Sequence, residues 1–341
     1  MAGTDEPSGH RPRPTILDVA REAGVSRGTV SRVLNGGHFV SPAALAAVQD
    51  AIARTGYKSN PHARSLKSGR ANSVAFLLTE PQHLLFEDPN FAILLRGAVN
   101  ALAERDLSLV LMVAGTDSER RRTLDYLTGG HVDGILLVSS HAGNTIARRL
   151  LDADLPVIAC GRPLGLEGKL GYVAADDLQG ARDVTQHLLD RGRRRIATIT
   201  GPLDTSGGVD RLEGYRQRLG DRFDERLVEH ADYTRAGGAA AMARLLARTP
   251  DLDAVFVASD LMASGALQTL ATASRTVPGD VAVAGFDDSG LAGTLTPALT
   301  SVHQPLDTIS REMVRLLLAV IDGGTPLGIT VPTRVVVRDS T

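Results

Sequence analysis

Apolar side chains recur every three or four positions between residues 15 and 56, which is the spacing of one helix face. Thr15 and Ser26 each precede one such segment in the position of an N-cap, and Ser41-Pro42 supplies a cap and a first-turn proline to a third. Glycines follow the first and third segments, where they end helices at low steric cost. The pattern predicts three short helices whose inward faces carry Ile16, Val19, Ala20 and Ala23; Val30, Val33 and Leu34; and Leu45, Val48 and Ile52.

The second predicted helix has a polar outer face. Arg27, Thr29, Ser31 and Arg32 are left outside when its apolar residues face inward. Three helices with a tight turn before the second predict a helix-turn-helix architecture, in which that helix lies against DNA. The alternative is that these residues form an ordinary solvated surface.

From residue 73 onward the pattern changes to short apolar runs that alternate with amphipathic helical segments. Such alternation predicts an α/β fold with doubly wound parallel sheets and helices on both faces. About ten strands in two batches indicate two sheets, with a ligand between them at the carboxyl ends of the strands. The predicted strands are 74–78, 107–113, 135–138, 157–160, 196–200, 227–229, 254–258, 281–286, 301–303 and 334–337.

Charge is distributed unevenly along the chain. Residues 1–70 contain ten Lys/Arg and five Asp/Glu, whereas all 341 residues contain 37 and 39, so the remainder is acidic. A basic head on an acidic body is typical of a phosphate-binding module attached to another domain. This asymmetry favours the DNA-binding interpretation of the first helices over a merely solvated face.

Composition excludes several classes of protein. A hydrophobic content of 43% is enough for more than one core, and no apolar run reaches the roughly 18 residues of a membrane span. The polar, proline-rich start lacks the apolar core of a secretory signal, so we expect a cytoplasmic protein with a disordered tail over 1–13. Cys160 is the only cysteine, and its apolar neighbours indicate a buried small side chain and not a nucleophile.

Together these segments resemble the lactose-repressor (LacI/GalR) family of bacterial transcription regulators over almost the whole range from Thr15 to Arg338. The sharpest match is D-V-A-R-E-A-G-V-S-R-G-T-V-S-R-V-L-N at 18–35, followed by A-R-S-L at 63–66. Further matches are D-G-I-L-L at 133–137, R-R-I-A at 194–197, A-V-F-V-A-S-D-L-M-A-S-G-A at 254–266, V-A-V-A-G-F-D-D at 281–288 and L-T-P-A-L-T-S-V-H-Q-P at 295–305.

The resemblance implies a helix-turn-helix domain at 14–58, a hinge helix and linker at 59–70, and a periplasmic-binding-protein-like body at 71–341 that binds ligand and dimerises. The body would comprise an N-subdomain, about 71–174 and 304–332, and a C-subdomain, about 175–303 and 333–341, with crossings near 173–176, 302–306 and 330–334. With no heptad helix after the last predicted strand, a homodimer is expected rather than a tetramer.

The same resemblance implies roles on double-stranded DNA with a palindromic operator. Residues matching base-reading positions are Arg27, Gly28 and Arg32, and residues matching phosphate-contacting positions are Thr15, Ser26, Thr29, Ser31, Asn35 and Ser41. Asn60, Ala63 and Leu66 match a hinge helix that enters the minor groove, where Leu66 would wedge into a base step.

For the body, the resemblance implies a small, polar, sugar-like effector held by Phe91, Arg211, Tyr233, Ser259, Asp287 and Gln304. An arginine fork and a carboxylate suit a ligand with several hydroxyls, and aromatic rings suit a sugar face. Ordinary structural roles remain open for some of these residues: helix core for Phe91, a cap for Asp287 and a surface ion pair for Arg211.

Two departures from the family pattern bear on specificity. Gly28 lacks the more usual side chain at a base-reading position, and Gly161 stands where the family often has an acidic residue. The chain also contains no Trp, the strongest sugar-stacking side chain.

The leading prediction is a ligand-responsive DNA-binding repressor that needs no cofactor or metal. An enzyme is disfavoured because HExxH and GxxxxGK[ST] patterns are absent from the sequence. The alternative of a transport-type binding protein is disfavoured because it does not explain the basic residues of the first 70 positions. An architectural DNA-binding protein with a non-functional cleft stays open, chiefly because of Gly161.

Overall fold

The computed structural model describes residues 14–34, 39–57, 70–143 and 145–341. Contacts divide the chain after Ala71 into two units, Met1–Ala71 and Asn72–Thr341. The predicted tail and all of the predicted hinge except Arg70 lie outside the described residues. Four of the predicted DNA contacts also lie outside them: Asn35, Asn60, Ala63 and Leu66.

The first unit contains the three predicted helices, α1 (Ile16–Glu22), α2 (Arg27–Leu34) and α3 (Pro42–Thr55). Thr15 and Asp18 form a reciprocal capping box, in which each side chain accepts a hydrogen bond from the other's backbone N–H. Ser41 caps α3 with Pro42 in its first turn, and Gly56 ends that helix with a φ of +65°. The predicted helices and caps are confirmed.

A small apolar core holds these three helices together. Val19, Val30 and Val48, one from each helix, are fully buried, and alanines 20 and 51 complete the centre. Leu34 was predicted to face inward but is 36% exposed, as the last residue of α2. The correct inward face of α2 is therefore Val30 with half-buried Val33.

The second unit contains two six-stranded sheets, which confirms the predicted α/β class. The first sheet has the order β11-β5-β4-β3-β1-β2 and is parallel throughout. The second has the order β12-β10-β9-β8-β6-β7, with β12 antiparallel to β10. The strands are Ser73–Leu78, Ser108–Val113, Gly134–Val138, Val157–Cys160, Gly171–Ala175, Ile196–Thr200, Val228–His230, Ala254–Val257, Ala282–Asp287, Thr300–His303, Gly328–Val331 and Arg334–Val336 for β1 to β12.

Helices cover both faces of each sheet, so the central strands are buried on both sides. Strand β1, whose sequence is SVAFLL, is buried at every residue, as expected for a central parallel strand. The helices of this unit, α4 to α12, are Gln82–Glu87, Pro89–Ala103, Asp117–Thr128, Thr145–Asp152, Asp177–Asp190, Ser206–Leu219, Arg235–Arg248, Asp260–Thr272 and Leu306–Ile321.

The chain passes between the two sheets three times. It leaves the first sheet after β5, returns after β10 through α12, and crosses again between β11 and β12. We call the part built on the first sheet the N-half and the part built on the second the C-half. The cleft described below opens at the junction of the halves, at the carboxyl ends of the strands.

Three elements were absent from the sequence prediction: α4, β5 and β11. Strands β5 and β11 each begin with a glycine and run for only five and four residues. A Cβ at Gly171 would lie 2.6 Å from the tip of the Ile158 side chain, which would have to shift, and 3.2 Å from the Leu327 carbonyl oxygen. Helix α9 starts at Ser206, four residues before the predicted start at Asp210. The prediction missed its first turn because Ser206-Gly207-Gly208 consists of poor helix formers.

Candidate functional site

The outer face of α2 in the first unit carries the residues predicted to read bases. Arg27, Gly28 and Arg32 are all exposed. The Arg32 Nε donates to the Gly28 carbonyl oxygen at 3.3 Å, which holds this side chain along the helix. Gly28 has open space around its Cα, since an added Cβ would contact only the Ser26 hydroxyl, at 3.7 Å.

The hydroxyls predicted to contact phosphates lie at helix starts. Thr15, Ser26 and Ser41 each accept a hydrogen bond from a backbone N–H in the first turn of α1, α2 or α3. Thr29 lies one turn along, with its Oγ1 3.0 Å from the Ser26 Oγ, and Ser31 is half-buried. The first turns of α2 and α3 carry no acidic residue, so these helix N-termini are suited to anions such as phosphate.

The second unit has a cavity of about 930 Å³ between its halves, counting the open space at its mouth. Its lining residues follow the carboxyl ends of strands from both sheets. All six residues predicted to bind an effector are brought together there: Phe91, Arg211, Tyr233, Ser259, Asp287 and Gln304.

Arg211, from α9, is the central cation of the cavity. Its Nε donates to Asp177 Oδ1 at 2.7 Å, its Nη1 donates to the Ala258 carbonyl at 2.6 Å, and its guanidinium stacks 3.8 Å from the centre of the Phe286 ring. Burial lowers the pKa of Arg211, but Asp177, Tyr233 and Asp287 more than offset this and raise it overall. The alternative of a surface ion pair is therefore wrong, because only 8% of the side chain is exposed.

Asp287 ends β9 in an unusual backbone conformation, with a φ of +117°. Its Oδ1 accepts a hydrogen bond from Gln304 Nε2 at 2.6 Å and lies 3.6 Å from Arg211 Nη1. Burial raises its pKa to about 6, while Arg211 opposes that shift. Its Oδ2 accepts from the Asp260 N–H at the start of α11 (3.4 Å), so it caps a helix and also faces the cavity.

Two aromatic side chains contribute to the cavity wall. Phe91 packs against the N-half core and also lines the cavity, so both of its predicted roles apply to its position. Tyr233 adopts a left-handed backbone conformation, with a φ of +62°, and its ring covers Gly201, where a Cβ would overlap it. A Cβ at Gly207 would lie 3.5 Å from both the Tyr233 hydroxyl and Arg211 Nη2, so glycine keeps these polar atoms accessible.

Sequence reasoning missed several polar residues of the cavity, notably Asp88, Asn90 and Asp177. Asp88 caps α5 by accepting from the Asn90 N–H at 2.9 Å. Burial raises its pKa to about 7, and the charge of Asp287 across the cleft adds to the shift. The available signal was D-P-N before an apolar run, which is typical of an N-cap and a first-turn proline.

Cys160 and Gly161 occupy the N-half wall. Cys160 is half-buried and lines the cavity, and burial raises the pKa of its thiol to about 12, so it stays protonated and is not a nucleophile. Gly161 has a φ of +86°, which disfavours any side chain with a Cβ. Asp177, beside Arg211 on the opposite half, supplies a carboxylate that Gly161 cannot.

The cavity therefore combines one cation, several carboxylates, an amide and two aromatic rings at the junction of the two halves. This donor and acceptor set suits recognition of a neutral, hydroxyl-rich ligand. The described residues contain no group of three or more His, Cys, Asp or Glu side chains with the geometry of a metal site. No helix within the described ranges is long and apolar enough to cross a membrane.

A helix-turn-helix unit with a two-sheet, cleft-containing unit defines the class of ligand-responsive DNA-binding regulators. The family model of bacterial regulatory proteins of the lacI family matches residues 15–60, and that of a periplasmic binding protein-like domain matches residues 185–341. The chain is 46% identical to the HTH-type transcriptional regulator CelR of Thermobifida fusca, over 97% of this chain and 99% of the relative. It is 37% identical to the ribose operon repressor of Escherichia coli K12, over 89% and 92%.

The protein therefore belongs to the lacI family of bacterial transcription regulators and is a DNA-binding regulator rather than an enzyme. Two solved structures of related regulators match almost the full length of this chain. A CelR–cellobiose complex is 44% identical, with a TM-score of 0.78 over 96% of this chain and 100% of the other. A lac repressor dimer bound to operator and the anti-inducer ONPF has a TM-score of 0.84 over 97% and 99%, and at 22% identity it supports the fold.

Proposed function

We propose that this protein is a homodimeric transcriptional repressor whose affinity for a palindromic operator is controlled by cellobiose or a closely related β-linked disaccharide. The carrying observation is the arrangement of Arg211, Asp177 and Asp287 with Tyr233 and Phe91 around one cleft. The likeness to a solved CelR–cellobiose complex, at 44% identity over nearly the whole chain, favours cellobiose among sugars. The division into 14–58, 59–70 and 71–341 and a cytoplasmic location are part of the proposal.

In this proposal the exposed face of α2 reads the operator. Arg27 and Arg32 contact bases, with Gly28 permitting close approach, while Thr15, Ser26, Thr29, Ser31, Asn35 and Ser41 contact phosphates and fix the register. Asn60, Ala63 and Leu66 form the minor-groove segment. These assignments are supported by the exposure of α2 and by the helix N-termini with no acidic first turn.

Within the cleft, the charged groups have distinct tasks. Arg211 is fixed by Asp177 and Ala258, so its remaining Nη2 donors are preorganised for ligand hydroxyls. Asp287, held by Gln304, accepts from hydroxyls, and Ser259 and Tyr233 complete the ring of polar contacts. Ligand binding would alter operator affinity through a coupling free energy of about 1–3 kcal/mol.

The test is a pair of titrations on the full-length protein. Calorimetry should detect binding of cellobiose and no comparable binding of maltose or ribose. Fluorescence anisotropy then measures the apparent Kd of the protein for an operator obtained by in-vitro selection. This Kd should change by roughly 5–150-fold when cellobiose is added. Binding of the operator without any effect of the three sugars would contradict the ligand assignment and favour the non-functional-cleft alternative.

A further inference from the structure

One end of the cleft is crossed by a chain of three charged side chains, which we call the His141 bridge: Glu80, His141 and Asp204. His141 Nε2 lies 2.8 Å from Glu80 Oε1, and its Nδ1 lies 3.0 Å from Asp204 Oδ2. Glu80 follows β1 and His141 follows β3 in the N-half, whereas Asp204 follows β6 in the C-half. The bridge therefore joins the two halves directly.

The residues around the bridge hold it rigidly in place. Ser139 has a φ of +61° and donates a hydrogen bond from its hydroxyl to the Glu80 carboxylate. The Ala142 N–H donates to the Asp204 carbonyl oxygen at 2.6 Å, which adds a backbone contact between the halves. Hydrogen bonding to Glu80 and the two nearby carboxylates raise the pKa of His141 to about 9, so it is an imidazolium at neutral pH.

The bridge also lies between two cavities. Glu80 lines the ligand cavity described above and equally lines a second, outer cavity of about 810 Å³, whose wall includes His141. Asp117 and Arg120 supply polar groups to this outer cavity, and they are paired at 2.6 Å. Of the three bridge residues, Glu80 lines both cavities and His141 lines the outer one, so the bridge lies where the two cavities approach each other.

We propose that the His141 bridge closes this end of the cleft and limits the length of the saccharide that the cleft accepts to about two sugar units. The proposal rests on the proposed function, because it refines which β-linked glucans bind at the same site. Removing the bridge would connect the ligand cavity to the outer one. A third or fourth sugar unit would then extend past Glu80 towards Asp117 and Arg120.

A second contact between the halves provides a matched control. Arg162, which follows β4, places its Nη2 2.7 Å from Asp210 Oδ1 on α9. This ion pair joins the N-half to the C-half as the bridge does, but Arg162 lines neither the ligand cavity nor the outer cavity. Its loss should change how readily the halves close without changing the length of ligand that fits.

The experiment is calorimetric titration of the full-length protein with cellobiose, cellotriose and cellotetraose. The variants are His141→Ser, Asp204→Ser and Arg162→Met, each checked for an unaltered circular dichroism spectrum. Asp204→Ser is the safer bridge variant, because the Asp204 side chain is 49% exposed and its backbone contact to Ala142 is retained. We expect the wild type to bind cellobiose at least about tenfold more tightly than cellotetraose, and both bridge variants to reduce this ratio below about threefold.

Arg162→Met should change the affinity for all three saccharides by the same factor. Equal wild-type affinities for the three would overturn the proposal, and so would a uniform loss in both bridge variants that matches Arg162→Met. In either result cellobiose still binds, so the proposed function survives while the length limit fails. A wild type that binds none of the three saccharides overturns the proposed function and the length limit together.

Discussion

Arg211 and Asp177 form an ion pair at the floor of the cleft that is almost sealed from water. The two atoms that join them, Nε and Oδ1, are 2.7 Å apart, and the side chains are only 8% and 9% exposed. Buried ion pairs contribute little net stability when intact, but removing one partner leaves an uncompensated charge. This pair therefore holds a cation in the ligand cavity, and a substitution that removes either partner should strongly destabilise the second unit.

Replacement of Arg211 by Met should destabilise the second unit by about 3–5 kcal/mol, because Asp177 and Asp287 would lose their buried partner. Urea unfolding monitored by circular dichroism measures the change. Arg315→Met is the control: Arg315 pairs with Glu312 on an exposed face of α12, so its loss should cost at most about 1 kcal/mol. Equal effects of the two substitutions would contradict the buried-charge argument.

The stability of the second unit should increase as the pH falls from about 7 towards 4. The folded-state pKa values of Asp88 (about 7) and Asp287 (about 6) lie above the roughly 3.9 of an unfolded carboxyl group, so the folded chain binds more protons in this window. Their burial in charged form thus destabilises the fold above pH 7, and protonation relieves this cost. Urea unfolding at four pH values between 5 and 8 measures the slope.

Asp88→Asn should flatten that slope and raise stability at pH 7.5. Asn is as good an N-cap as Asp, so the hydrogen bond to the Asn90 N–H is retained while the buried charge is removed. Asp221→Asn, at an exposed position after α9, serves as a charge-matched control, for which we expect the wild-type slope. A steep slope that survives in Asp88→Asn would assign the proton uptake to other groups.

On DNA, Arg27→Ala should weaken operator binding by about 1–3 kcal/mol and relax base preference at one position of each half-site. Arg54→Ala is the matched control, since Arg54 pairs with Glu22 at 3.2 Å and lies on α3, away from the face of α2. Anisotropy titrations at one fixed salt concentration, with single-base variants of the operator, give both affinities. Equal losses on all operator variants would identify Arg27 as a phosphate contact.

Gly161→Ala should destabilise the protein by about 1–2 kcal/mol, because the φ of +86° is costly for a residue with a Cβ and the Ser206 Oγ would lie 3.2 Å away. Thermal and urea unfolding measure this. Gly293→Ala, at a position with open space and no left-handed backbone, should change stability by less than about 0.5 kcal/mol. A neutral Gly161→Ala would mean that the wall adapts, and an acidic side chain could then be accommodated there.

The fold class and the cavity residues at strand ends could be predicted because both depend on local patterns. Asp287 follows an uninterrupted apolar strand, and parallel strands bring their carboxyl ends to one edge, so its place in the cleft follows from periodicity and resemblance. Arg211 was predicted in the same way. Its burial was not, since the pairing with Asp177 joins residues 34 positions apart.

What could not be predicted depends on long-range packing. Asp177 and Asp88 look like ordinary N-terminal helix residues in sequence, and only the approach of the two halves makes them part of one site. Strands β5 and β11 are short, with β11 at the edge of the sheet and β5 next to it, so they lack the long apolar run of a central strand. The His141 bridge likewise joins three loops that have no common motif.

The triple crossing between the halves has a consequence for synthesis of the protein. The first sheet is not complete until β11, residues 328–331, has been added, and by then five of the six strands of the second sheet have already been made. The N-half cannot finish assembly as the ribosome releases it and must wait with one edge of its sheet unpaired. A translation product interrupted before β11 therefore lacks one edge strand of the first sheet, although the three helices of the first unit are already made.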